Sequence, residues 1–163
     1  MVMTGDRDAG LIELRDGLDR WRGTRANLWA PYRLGRAAAV FLEAGEIDAG
    51  TTLLSDALQA VEVGGERWYE AELYRLKGEL LLVSSVEAQA EAQACLQRAL
   101  TIAHAQGARL FELRAAMALG RLQCDRDERK CRKALLGSVF DSFVEGFDTP
   151  ELKEARALLD ELE

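Results

Sequence analysis

Leu152, Ala155, Leu158, Leu159 and Leu162 stand three or four residues apart, with Lys153, Glu154, Arg156, Asp160 and Glu161 filling the positions between them. That is the stripe of a helix with one apolar and one charged side. Groups with the same step recur upstream: Leu11, Leu14, Leu18 and Trp21, then Leu54, Ala57 and Leu58, then Leu96, Ala99 and Leu100. The pattern predicts helices over residues 6–22, 26–43, 46–63, 67–83, 87–105, 108–124, 127–144 and 150–162. Gly45, Gly64 with Gly65, Gly107 and Gly146 punctuate them, as turn residues do. Ala, Leu, Glu and Arg dominate and all favour helix, whereas the strand formers Val, Ile and Thr are sparse. The expected class is all-α.

The helices repeat. Residues 9–18 (AGLIELRDGL), 49–58 (AGTTLLSDAL) and 91–100 (EAQACLQRAL) align at offsets of forty and forty-two, and Leu136 and Val139 mark a weaker fourth copy. A second element alternates with the first. Residues 65–78 (GERWYEAELYRLKG) and 107–120 (GARLFELRAAMALG) share Gly, Arg, Glu and Gly at an offset of forty-two, with Tyr69 answering to Phe111. One repeat earlier, Trp29 takes the aromatic place and Ala38 that of the second glycine. Each repeat therefore has an A helix with a small residue near its middle and a B helix with a small residue between leucines. Small residues let two helix axes approach, and large ones fill the space beside them. Glycine inside a helix costs about 1 kcal/mol against alanine, so Gly78 and Gly120 at one phase predict close packing at both. The turn at Ser84 and Ser85 carries two extra residues relative to the first pair.

With 163 residues, 48% hydrophobic and 30% charged, the chain can fold as a packed domain, and a single domain over 1–163 is expected. A net charge of −7 argues against a nucleic-acid partner, which needs a basic face. The one basic cluster, residues 129–133 (RKCRK), follows Asp125, Asp127 and Glu128 and reads as a solvated helix face. The first ten residues lack the apolar segment of a signal peptide, and no apolar run approaches the roughly 20 residues of a membrane span, so no membrane partner is expected. Cys95, Cys124 and Cys131 form no CxxC and give an odd count, which fits reduced thiols in the cytoplasm. Together with the single histidine, His104, they match no zinc spacing. The serines lie in no nucleophile motif and no GxxxxGK[ST] is present. The reading is a protein without catalytic residues, metal or cofactor.

The small residue of the A helix, Phe41 three positions later, and Leu54 with Ala57 of the B helix resemble the tetratricopeptide repeat, stretched beyond its usual length of about thirty-four residues. Three segments, YEAELYRLKGELLL (69–82), LQRALTIAHAQGARLFELRAAMALGRL (96–122) and FVEGFDTPELKEARALLDEL (143–162), are similar to the C-terminal repeat regions of bacterial multidomain signalling ATPases and adenylate-cyclase-like regulators. The resemblance implies a right-handed superhelix of antiparallel helix hairpins, a TPR-like α-solenoid. Its parts would be a half repeat at 6–22, repeats at about 26–63, 67–105 and 108–144, and a capping helix at 150–162. It also implies a partner-binding or regulatory scaffold, the array of a larger signalling protein whose ATP site lies in other domains. The alternative is a free-standing adaptor whose main activity is homo-oligomerisation. One departure is QCDRDERKC, which lacks the glycine usual between A and B helices.

In such arrays the A helices line a concave surface. The phase of Ala38, Gly78 and Gly120 turns Tyr32 and Leu42 inward, then Glu72, Arg75, Glu79 and Val83, then Arg114, Met117, Arg121 and Cys124. Arginine forms paired hydrogen bonds with carboxylates, so the expected guest is a protein or peptide with acidic groups. The alternative is that these charges pair with one another. The Lys/Asn pattern of carboxylate-clamp members is absent, so a chaperone C-terminus is not implied. At the other end, residues 6–22 align with B helices and no A helix precedes them. Leu11, Leu14, Leu18 and Trp21 are therefore the candidate self-association face of a homodimer, unless the chain is a piece of a longer array. Near the C-terminus, Gly146 ends the last B helix. Thr149 is the expected helix cap, Pro150 the first helical residue, and Asp148 with Glu151 an alternative capping pair. Leu136, Val139, Phe140 and Phe143 are the residues that the last B helix offers to the closing helix.

Overall fold

The structure, a computed structural model, describes residues 7–24, 26–84, 86–122 and 126–162. Every regular element among them is helical: eight α-helices and one short 3-10 turn. The chain divides into two compact units, Met1–Arg67 and Trp68–Glu163. The boundary falls where the second A–B repeat begins.

The first unit holds α1 (Arg7–Gly23), α2 (Ala30–Glu43) and α3 (Ile47–Gly64). Helices α2 and α3 form a hairpin around Ala38, Phe41, Leu54, Ala57 and Val61, all at most 2% exposed. The turn between them works through Gly45, whose φ of 79° suits glycine best. It lets Glu46 N–H reach the Phe41 carbonyl at 2.9 Å while Gly45 N–H reaches that of Leu42 at 3.0 Å, closing the helix end. Gly107 repeats the arrangement after α5 with Ala108 and Ala103. Helix α2 begins at Ala30 rather than at residue 26 because Trp29 is left-handed, with φ 59°, and interrupts the helical path. Helix α1 is held by Leu11, which is buried, and by long side chains. Arg15 pairs with Glu46 at 3.1 Å, Arg22 with Asp56 at 2.8 Å, and Arg7 donates to the Glu43 carbonyl at 2.8 Å.

The second unit holds α4 (Glu70–Ser84), the 3-10 turn Val86–Ala88, α5 (Gln89–Ala105), α6 (Arg109–Gly120), α7 (Arg126–Phe140) and α8 (Pro150–Glu161). The 3-10 turn lies where the sequence has its two extra residues; Ser85 itself lies outside the described residues. Helix α4 packs on α5 and α6, α6 packs on α5 and α7, and α8 packs on α6 and α7. Positions equivalent by repeat meet across α4 and α6: the Tyr69 ring stands edge-on to that of Phe111, 5.7 Å between centroids. The core runs through Leu96, Leu113, Leu136, Phe140, Leu152 and Leu158.

Gly78 and Gly120 share a phase but not a neighbourhood. A Cβ at Gly78 would sit 2.7 Å from Leu96 Cγ and 3.1 Å from the Ala92 carbonyl oxygen. At Gly120 the nearest atom, Leu158 Cδ2, is 3.3 Å away and ends a side chain that can shift. Gly78→Ala should therefore destabilise by about 1–2 kcal/mol, overpacking outweighing helix propensity. Gly120→Ala should be neutral or stabilise by up to about 1 kcal/mol. Paired urea melts check this; equal shifts of one sign for both would show that the phase alone matters. The close approach not anticipated from sequence is Gly50 of α3, where a Cβ would fall 2.6 Å from Leu42.

Three expectations need correction. Thr149 holds the N-cap position of α8 with Pro150 following it, but its hydroxyl donates to the Gly146 carbonyl at 2.6 Å and makes no capping hydrogen bond. Of the four residues offered to α8, Leu136, Val139 and Phe140 are buried as expected, whereas Phe143 is only half-buried at the edge of the core. Arg132 of the basic cluster is 7% exposed. It donates to the Leu122 carbonyl at 2.9 Å, closing a backbone acceptor just beyond α6.

Candidate functional site

Helices α4 and α6 lie side by side and present Arg75, Glu79, Arg114, Met117 and Arg121 to one cleft of about 400 Å³. Helix α8 forms its other wall with Pro150, Glu151 and Glu154. Glu72 anchors the floor. Its side chain is 4% exposed, and it accepts from Arg75 Nε at 2.9 Å and Nη2 at 3.1 Å, and from Arg114 Nη1 at 3.0 Å. Arg75 also pairs with Glu79, Arg114 with Glu151 at 2.6 Å, and Arg121 with Glu154 at 2.6 Å. Each of the three arginines therefore already has a carboxylate. Met117 is 3% exposed and belongs to the core as much as to the cleft. Glu151 and Glu154 were not singled out as site residues, because helical periodicity places them on a polar side without saying what that side faces. Cys124 lies outside the described residues.

The electrostatics follow from the geometry. Burial acts to lower the Arg75 pKa, but the hydrogen bond and charge of Glu72, then Glu79, outweigh it and hold Arg75 above the ordinary arginine value. Arg114 is raised in the same way, burial opposing and Glu151 with Glu72 prevailing. The Glu151 carboxyl is held below its ordinary value of 4.5, first by its hydrogen bond from Arg114 and then by a backbone hydrogen bond. A depressed carboxylate stabilises the fold above its ordinary pKa, and that contribution fades as pH falls through the folded value. Glu151→Gln should accordingly flatten the loss of stability on acidification below about pH 4.5 and lower stability at neutral pH. Urea midpoints measured at several pH values check this; an unchanged pH slope would show the pair to be inert.

Of the two unit-1 residues assigned to a concave surface, Leu42 is turned into the hairpin against Gly50. Tyr32 lines a different cleft, also of about 400 Å³, between α1 and α2. The α1 wall of that cleft is made by Glu13, Leu14, Gly17, Leu18 and Trp21. Leu14, Leu18 and Trp21 are half-buried, whereas Leu11 is 5% exposed and spent on the unit's own core. The Arg33 guanidinium lies over the Trp21 ring at 5.8 Å.

The chain matches no protein-family model, no curated protein and no solved structure in the comparisons made. Among the described residues no group of His, Cys, Asp and Glu is arranged to hold a metal, and no helix is long and apolar enough to cross a membrane. His104 is exposed and its Nδ1 lies 2.7 Å from the buried carboxylate of Glu112. Cys95 is buried, and burial pushes its thiol pKa up; Cys131 is exposed.

Proposed function

We propose that the chain is a non-enzymatic protein-interaction module built from TPR-like hairpins, with α8 as their capping helix, and that it serves as a regulatory or scaffolding array in a larger cytoplasmic signalling protein. The observation that carries the reading is the contrast between its two clefts. In the α4–α6–α8 cleft every arginine is already paired, so an acidic guest would have to displace Glu72, Glu79, Glu151 or Glu154. The α1–α2 cleft, by contrast, keeps Leu14, Leu18 and Trp21 partly open. Burying a leucine completely is worth about 1.5–3 kcal/mol, which favours a protein surface as its cover.

The same open residues favour the second reading, self-association through α1. A photo-crosslinking amino acid at position 18, in cells that naturally make the protein, separates the two. One defined protein trapped at position 18 but not at exposed position 153 supports a partner module. A second copy of the chain trapped there selects homo-oligomerisation. Identical nonspecific products at both positions would sink the interaction reading.

A further inference from the structure

We draw no further inference here: the strongest candidate, the cleft of about 470 Å³ between the start of α2 and the second half of α3 with Asn27, Leu28, Asp56, Val63 and Glu66 on its walls, carries nothing, because Asp56 is already paired with Arg22, the Glu66 oxygen that lacks a hydrogen bond is itself buried, and nothing in the structure shows what covers the apolar remainder.

Discussion

Removal of residues 147–163 should abolish cooperative unfolding of the second unit and drive the chain to aggregate. Helix α8 buries Leu152, Ala155 and Leu158 to 3, 0 and 6% exposure and covers Phe140 and Leu136 of α7. Each leucine contributes about 1.5–3 kcal/mol on burial, and the surfaces left behind lose a similar cover. Set against a whole-domain stability of about 5–15 kcal/mol, the loss is not survivable. Two ion partners leave as well: Glu151 of Arg114, and Glu154 of Arg121. The second of these pairs is 45% and 60% exposed and adds little. Circular dichroism and light scattering of the shortened chain check the expectation. A soluble protein with an unshifted melting temperature would mean that α8 is an ornament rather than part of the core. Phe140→Ala, at about 3–5 kcal/mol, tests the same surface from beneath and leaves the chain length intact.

Glu72→Ala should cost about 3 kcal/mol or somewhat more, far beyond a surface ion pair. The carboxylate is 4% exposed and receives three hydrogen bonds from two guanidiniums. Its removal leaves Arg75, at 16% side-chain exposure, with Glu79 alone, and Arg114, at 30%, with Glu151 alone. Breaking one side of a buried pair costs about 3–5 kcal/mol because the remaining charge stays desolvated. Partial exposure of Arg114 places the expectation at the lower end. The triple change Glu72→Leu, Arg75→Met and Arg114→Met should recover much of the loss, since apolar groups of similar volume often replace a buried pair at no cost. Chemical denaturation of both variants checks this. A single-variant loss below about 1 kcal/mol would place the whole cluster among ordinary surface pairs.

That cluster also shows how far residue order reaches. Glu72, Arg75, Glu79, Arg114, Met117 and Arg121 were assigned to one surface by helical phase, and in the second unit they do gather around α4 and α6. Tyr32 and Leu42, assigned to that surface by the same phase, belong to the first unit. There Tyr32 faces α1 and Leu42 is drawn into the hairpin by Gly50. A phase states which way a residue points from its own helix axis. It does not state which neighbour stands there.

Apart from differences at their ends, such as the start of α2 at Ala30, the positions of the eight helices among the described residues and the glycine turns at Gly45 and Gly107 follow from local order along the chain. So does the equivalence of Tyr69 with Phe111. Apolar period, helix propensity and a positive φ are each satisfied within a few residues, so local sequence suffices to specify them. The rest depends on distances between helices. Gly78 is crowded by Leu96 and the Ala92 carbonyl, while Gly120 at the same phase meets a yielding Leu158. Glu151, in the first turn of α8, also reaches Arg114. Arg132, one of five residues in a basic run, turns inward to the buried Leu122 carbonyl. Close packing and ion pairing act over a few ångströms between segments far apart in the chain, and that separation is set only when the helices have packed.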